Sequence, residues 1–202
     1  LQLTKKPVSE PPAATAPGEI VVNGWSPSKR NNPFANSGMV VSVNENDFKK
    51  FENKNQLAAL EYQKQVEQNC FQAGGSNLSA PAQRMIDFIE NRNSISLPTC
   101  SYIPGIVSTQ LNDVLPDEIS FALKDALKNF GKKMKSYYTN EAVLVATESR
   151  TSSPVRIPRD NETLMHTQIK GLFPCGEGAG YAGGIISAAI DGERCAEAVV
   201  KY

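Results

Sequence analysis

A glycine-rich stretch at residues 170–192 constrains the fold of this chain more than any other feature. It opens with a brief apolar run, Leu172, Phe173 and Cys175, which is typical of a β-strand. Five glycines then fall within nine residues, and from about Ala182 onward the small apolar residues predict a helix. Such a turn lets the backbone approach a ligand closely, and the helix start offers unpaired N–H groups. The stretch therefore favours a phosphate, a carboxylate or an electron-rich ring edge as its ligand.

Two other interpretations of this stretch stay open. A helix rich in glycine and alanine also forms where a helix simply packs tightly on a sheet. Residues 178–183 also fit G-x-G-x-x-G, the dinucleotide-binding pattern. That pattern requires a second strand ending in an acidic residue about 20 positions later, whereas the helix predicted here continues to Tyr202. We therefore expect the match not to be a complete nucleotide-binding unit.

Three segments resemble one known group of proteins. Residues 171–192, with the sequence GLFPCGEGAGYAGGIISAAIDG, look like the C-terminal FAD-contacting segment of the uncharacterised FAD-dependent dehydrogenases, which are two-domain flavoproteins. Residues 150–156 (RTSSPVR) and 16–24 (APGEIVVNG) resemble the same group, and the similarity extends from about Ala13 to the end. The resemblance implies an FAD-dependent oxidoreductase whose reductant is a nicotinamide, NAD(P)H, or another donor.

The resemblance also implies which residues contact the cofactor. Glu177 matches the acidic residue that holds the ribityl hydroxyls of FAD. The helix that follows would face the pyrimidine edge of the flavin, where the positive end of a helix dipole stabilises negative charge. The implied cofactor-binding residues are Glu177, Gly178, Ala182, Gly183, Gly184 and Ile185.

Polar residues just upstream are candidates for a substrate site. Arg150, Ser152 and Ser153 come where a predicted strand ends, and ligands of open α/β sheets collect at the carboxyl ends of strands. The guanidinium of Arg150 could bind a carboxylate, but a structural salt bridge is an equal alternative, and Arg156 carries the same ambiguity. His166 lies outside the resembling motifs and is predicted to be a surface residue. The sequence identifies no catalytic acid or base.

The expected architecture is α/β, as a mixed α+β fragment. Residues 1–12 form an extended lead-in, residues 13–145 a substrate-type domain, and residues 146–202 the terminal strand and helix of an FAD/NAD(P)-binding-like domain. The N-terminal Rossmann βαβ unit of such flavoproteins is missing, because no G-x-G-x-x-G turn occurs in residues 1–60. We therefore expect a piece of a longer protein that cannot hold FAD strongly alone.

Local patterns predict the elements of this architecture. Strands are expected at residues 19–23 and 39–43, which could pair as a hairpin, and at 141–147, 155–157 and 172–175. Helices are expected at residues 56–73 and from Ser79, with Pro81 in the first turn. A third helix is expected from Pro116, and its shared apolar face consists of Ile119, Leu123, Leu127 and Phe130. Trp25 is predicted to anchor a core or its rim.

Composition narrows the class of partner. Lys and Arg total 21, as do Asp and Glu, so no basic field indicates nucleic acid. No apolar run approaches the roughly 20 residues of a membrane span. The four cysteines form no C-x-x-C pair and there is one histidine, so a zinc site is not expected. These features favour a cytoplasmic protein that acts on a small molecule. A free-standing, non-enzymatic module whose glycine turn serves packing or binds an anion is the alternative.

Overall fold

The computed structural model describes residues 2–5, 8–9, 16–24, 28–29, 31 and 33–202. Trp25 and part of the predicted lead-in lie outside the described residues. The chain divides into two compact units. The first consists of Leu1–Asp47 and Gln63–Ser149, and the second of Phe48–Tyr62 and Arg150–Tyr202. The predicted domain bounds at 13–145 and 146–202 stay predictions.

Helices and strands alternate along the described chain, which confirms the mixed α/β class. The helices are α1 (Ala58–Ala73), α2 (Met85–Ile89), α3 (Asp117–Lys133) and α4 (Ile185–Val200), with 3₁₀ segments at Lys49–Leu57 and Leu111–Asp113. The strands are β1 (Gln2–Lys5), β2 (Val8–Ser9), β3 (Ala35–Gly38), β4 (Ala80–Arg84), β5 (Ser101–Tyr102), β6 (Ile106–Ser108) and β7 (Val143–Val145).

The first unit is built on a mixed sheet with the strand order β3-β1-β7-β4-β6, so β7 lies at its centre. β4 pairs parallel with β6 and antiparallel with β7, with Ala82 opposite Val145. β1 extends the sheet antiparallel to β7, and β3 pairs antiparallel with β1. β2 and β5 form a separate parallel pair. All three residues of β7 are buried, as its continuous apolar run predicts for a strand covered on both faces.

Helices α2 and α3 bury their apolar side chains in the same core as the sheet. Phe88, Leu123, Leu127 and Leu144 are among its fully or almost fully buried residues. The predicted face of α3 is therefore confirmed at Leu123 and Leu127, whereas Phe130 is exposed at the rim. Helix α1 ends as predicted at residues 74–75, where Gly75 adopts a φ of +97° that a residue with a Cβ rarely adopts.

Three local predictions for the first unit are wrong. Ala80–Arg84 is an interior strand and not a helix start, because β6 and β7 pair with it on both sides and Ala146 N–H donates to the Pro81 carbonyl (3.0 Å). Residues 19–23 form no strand, although Ile20 and Val22 are buried. The third strand lies at Ala35–Gly38, before the apolar run at 39–43, so the predicted hairpin is not formed.

The second unit contains little regular structure between Arg150 and α4. Residues 155–157 and 172–175, both predicted as strands, are irregular. Pro174 has no N–H to donate to a ladder, and its carbonyl accepts from the Arg159 side chain (Nη1 to O, 2.7 Å). The predicted terminal strand of the flavin-binding fold is therefore wrong as a strand, because residues 172–175 pair with no neighbouring strand among the described residues.

Candidate functional site

The glycine-rich stretch forms a compact loop before α4. Gly180 N–H donates to the Glu177 carbonyl (2.9 Å), and Tyr181 N–H donates to the Gly176 carbonyl (3.0 Å). Gly176 and Gly180 have φ values of +71° and +83°, in the left-handed region that glycine adopts without a steric penalty. The loop ends at Gly184, the N-cap of α4.

A buried ion pair fastens this loop to α4. The Arg159 guanidinium contacts Asp191 through two hydrogen bonds, Nη2 to Oδ1 at 2.6 Å and Nη1 to Oδ2 at 3.0 Å. The two side chains are 5% and 8% exposed. The hydrogen bonds from Arg159 hold the pKa of Asp191 below its usual value, outweighing the opposite effect of burial. Both charges are therefore retained in a largely water-free position.

The same two side chains also bind the backbone where the loop begins. Arg159 Nη1 donates to the Pro174 carbonyl at 2.7 Å, and Gly176 N–H donates to Asp191 Oδ2 at 2.9 Å. Since Asp191 lies in the second turn of α4, residues 174–176 run beside this helix. The ion pair thus sets the position of the glycine loop from behind.

Tyr181 joins the loop to the upstream segment. The Arg159 guanidinium carbon lies 3.6 Å from the Tyr181 ring centroid, and that of Arg156 lies 4.4 Å away. The Tyr181 hydroxyl donates to the Ile157 carbonyl (2.9 Å), and Ile157 N–H donates to the Ala179 carbonyl (3.1 Å). These contacts hold residues 156–159 against the loop, within cation–π distance of its one aromatic ring.

Close packing explains only one of the loop glycines. A Cβ on Gly180 would lie 2.8 Å from the Val155 carbonyl oxygen and 3.0 Å from Arg156 Cα, closer than atoms approach. A Cβ on Gly178 or Gly183 would meet nothing within 4 Å, and one on Gly184 only the Ser187 hydroxyl at 3.9 Å. The outer part of the loop is therefore open, and its lack of side chains does not arise from packing within the described chain.

The start of α4 presents free N–H groups beside this open surface. The sequence predicts a helix from about Ala182, whereas the helix begins at Ile185. Ala182 and Gly183 therefore precede its first turn. No side chain in the described part of the chain caps the helix, and Ile185 is 89% exposed. The first N–H groups of an α-helix have no acceptor within the helix, so they and the helix dipole are available to an electron-rich group.

Glu177 is half-buried on the loop, one residue before Gly178. Its carboxylate has no hydrogen-bond or ion-pair partner among the residues that the structure describes. A partly buried carboxylate normally acquires such partners, because burial removes part of its hydration. The arrangement therefore leaves Glu177 able to accept hydrogen bonds from hydroxyl groups.

Of the predicted substrate-binding residues, Ser153 contacts the loop, and Arg150 and Ser152 precede it in the chain. The Ser153 hydroxyl lies 2.8 Å from the Val155 carbonyl and 3.2 Å from the Gly178 carbonyl, so it helps hold the loop. Arg150 and Ser152 are exposed. His166 is half-buried, and its Nδ1 accepts from the N–H groups of Gln168 and Ile169, which gives it a local structural role. The substrate roles of Arg150, Ser152 and Ser153 stay predictions.

Sequence reasoning missed the residues that hold this site together. Arg159 lies in a polar segment that belongs to none of the motifs described above, and Asp191 follows the small apolar residues that open α4. The acidic residue within the small apolar run was the one signal available, because a buried charge requires a partner. Nothing in the sequence indicates that Arg159, 32 positions away, is that partner.

A family profile described as FAD-dependent protein, C-terminal domain-like, matches residues 11–151. The chain belongs to this family. The match covers 141 of the 202 residues and ends where the second segment of the second unit begins. Membership confirms the predicted relation to FAD-dependent proteins, and the residues proposed to contact flavin lie beyond the matched segment.

A longer bacterial protein is also similar to this chain. It is an uncharacterized protein of Clostridium beijerinckii (strain ATCC 51743 / NCIMB 8052), 42% identical over 191 residues. The similarity covers 94% of this chain but 35% of the relative, so the chain spans about a third of the curated relative's length. The relative therefore matches the second unit as well as the segment in the family profile.

The described residues contain neither a helix suited to a membrane nor a cluster suited to a metal ion. No helix among them is both long and apolar enough to cross a membrane. Within the same part of the chain, no group of three or more His, Cys, Asp or Glu side chains is arranged to hold a metal ion.

Proposed function

We propose that this chain is the C-terminal part of an FAD-dependent oxidoreductase, in which the glycine loop and the start of α4 contact the flavin. Membership of the FAD-dependent family supports the cofactor. The length of the Clostridium beijerinckii relative supports a longer parent protein, whose remainder would supply most of the FAD site. Within the chain, the second unit carries the groups that suit such a contact.

The observation that carries this proposal is the open part of the loop. Gly178, Gly183 and Gly184 lack side chains where a Cβ would find space, and the helix behind them begins without a side-chain cap. Packing within the chain accounts for Gly180 alone. A surface free of side chains beside unpaired N–H groups is what a planar, electron-rich cofactor requires for close approach.

Glu177 completes the site as a hydrogen-bond acceptor. Its carboxylate would accept hydrogen bonds from the ribityl hydroxyls, and the loop contacts through Tyr181 and Ser153 would keep it in position. The bound flavin would supply the redox chemistry, while the chain binds and orients it. Arg150 and Ser152 are proposed to bind a small-molecule substrate, with NAD(P)H as a possible source of electrons.

Visible absorbance tests the cofactor directly. The longer protein is purified without added flavin and its spectrum is compared with that of the 202-residue chain. We expect flavin bands in the longer protein and none in the chain alone, because the chain holds only part of the site. If both proteins are colourless and added FAD restores no bands in the longer one, the proposal is wrong.

A substitution in the longer protein tests the contact. Glu177→Ala should weaken FAD binding by about 1.5–3 kcal/mol, roughly ten- to 150-fold in Kd, because hydrogen bonds to a charged acceptor are lost. Glu193→Ala is the matched control, since it removes an exposed carboxylate from the body of α4. The Kd is measured by titrating the apoprotein with FAD. Equal affinities in the two variants would remove Glu177 from the site.

A further inference from the structure

Two cysteines lie at the junction between the glycine loop and α4. Cys175 is exposed and immediately precedes the loop, whereas Cys195 is buried on α4. Both are free thiols. They are separated by 20 residues in sequence but belong to the same compact unit. The proposed flavin contacts use neither side chain.

The geometry of the ion pair brings these two residues together. The Cys195 thiol lies 3.9 Å from the Pro174 carbonyl oxygen, and that carbonyl carbon is bonded to the nitrogen of Cys175. On the next residue, Gly176 N–H donates to Asp191, which lies one helical turn before Cys195. The backbone around Cys175 therefore passes directly alongside the turn that carries Cys195.

The environment of Cys195 is polar on one side. Arg159 Nη1 donates a hydrogen bond to its sulfur at 3.2 Å. Burial raises the pKa of the Cys195 thiol, the Arg159 guanidinium lowers it, and Asp191 and the Cys175 thiol raise it further. Cys195 lies next to a guanidinium that can stabilise a thiolate as it forms.

We propose that Cys175 and Cys195 form a reversible disulfide by exchange with a small-molecule disulfide such as oxidised glutathione. Exposure allows Cys175 to meet the reagent, and burial reserves Cys195 for the second step. Cys70 and Cys100 lie in the other unit. Cys70 is inaccessible, and burial raises its pKa to about 12, so it is a poor nucleophile at neutral pH.

The exchange proceeds in two balanced steps. The Cys175 thiolate attacks one sulfur of the small disulfide, forms a mixed disulfide and releases one small thiolate, which takes up the proton. The Cys195 thiol then loses its proton and attacks the Cys175 sulfur, so that the S–S bond to the small molecule breaks and a second small thiol leaves. Two protein thiols are oxidised and one small disulfide is reduced. Excess small thiol reverses both steps.

The product would couple the loop to the redox state of the surroundings. A bond between Cys175 and Cys195 would tie the residue before Gly176 covalently to α4, beside the hydrogen bond from Gly176 to Asp191. In the reduced chain, Arg159 and Asp191 hold this junction through non-covalent contacts. The disulfide therefore marks a modification site that is separate from the flavin contacts.

Thiol mapping of the native chain tests the proposal. Dilute 202-residue protein is incubated with oxidised glutathione, quenched with acid, alkylated under denaturing conditions and digested for mass spectrometry. We expect two of the four cysteines to be protected from alkylation and a disulfide-linked peptide pair that contains Cys175 and Cys195. Cys70 and Cys100 should react fully with the alkylating reagent. Reduction with excess glutathione should restore all four thiols.

Two variants sharpen the result. Cys195→Ser should trap Cys175 as a persistent mixed disulfide, because the second thiol is missing, while Cys100→Ser should form the linkage as the native chain does. A persistent mixed disulfide at Cys175 in the native chain, or a linkage of Cys175 to Cys100, would overturn the proposal. The native-chain result decides the question even if Cys195→Ser fails to fold.

Discussion

The buried ion pair between Arg159 and Asp191 yields the sharpest test of how the site is held. Asp191→Asn keeps the shape of the side chain and removes its charge. The Arg159 guanidinium, whose side chain is 5% exposed, then stays buried without a counter-ion. Breaking a buried pair by removing one partner costs about 3–5 kcal/mol. The loss falls on the second unit, because both residues and the backbone groups they bind belong to it.

Native-state hydrogen exchange measures this loss at the site itself. The N–H of Gly176 donates to Asp191 Oδ2, so its exchange reports the contact directly. A destabilisation of about 3–5 kcal/mol should accelerate the exchange of the Gly176 N–H and of the α4 amides by more than about a hundredfold. Glu193→Gln is the matched control, since it removes an exposed charge from the same helix and should change stability by less than about 0.5 kcal/mol.

A double variant separates the effect of the unpaired charge on stability from the effect of the packing of the two side chains. In Arg159→Met with Asp191→Leu, both charges are removed together, and stability should return close to that of the native chain. If Asp191→Asn exchanges like Glu193→Gln, the pair does not hold the loop and the reasoning fails. If the double variant is as unstable as the single one, hydrogen bonds to Pro174 and Gly176 matter more than the unpaired charge.

The same pair predicts a dependence on pH. The folded pKa of Asp191 is lowered, chiefly by its hydrogen bonds with Arg159. Its stabilising contribution is therefore fully present above the pKa of an unfolded aspartate, about 3.9, and is lost as the pH falls through the lower folded value. In the native chain, the protection of the Gly176 N–H, measured relative to the intrinsic exchange rate at the same pH, should fall in this acid range, whereas Asp191→Asn should lack that step.

Two further substitutions test the packing in each unit. Gly180→Ala should destabilise the second unit by about 1–3 kcal/mol, because a Cβ there meets the Val155 carbonyl at a φ of +83°, whereas Gly178→Ala should change stability by less than about 0.5 kcal/mol. Equal urea midpoints for the two would contradict the geometry. Leu127→Ala should cost about 2–5 kcal/mol in the first unit, and Phe121→Ala, 69% exposed on the same helix, should cost much less. Similar midpoints would place Leu127 outside the core.

Regular structure that buries its own side chains was predictable from the sequence. The continuous apolar run of β7 predicts that both of its faces are buried. The spacing of Leu123 and Leu127 predicts which face of α3 is buried. The double glycine after Ala73 records where α1 ends. These features are local, because a helix or strand repeats its burial pattern along a few consecutive residues. The glycine-rich stretch likewise indicated a loop before a helix, and the family relation followed from its motif.

Tertiary structure alone decided how the pieces meet. Ala80–Arg84 became an interior strand, against the helix-start signal of Pro81, because two strands from later in the sequence pair with it. The candidate loop is positioned by Arg159 and Asp191, residues that no local pattern relates. The sequence by itself determined the mixed α/β class, the helices α1 and α3, the strand β7 and the glycine loop before α4. The fold decided which buried charges, carbonyls and thiols become neighbours. The ion-pair and hydrogen-bond energies between these groups exist only once the chain has brought them within bonding distance.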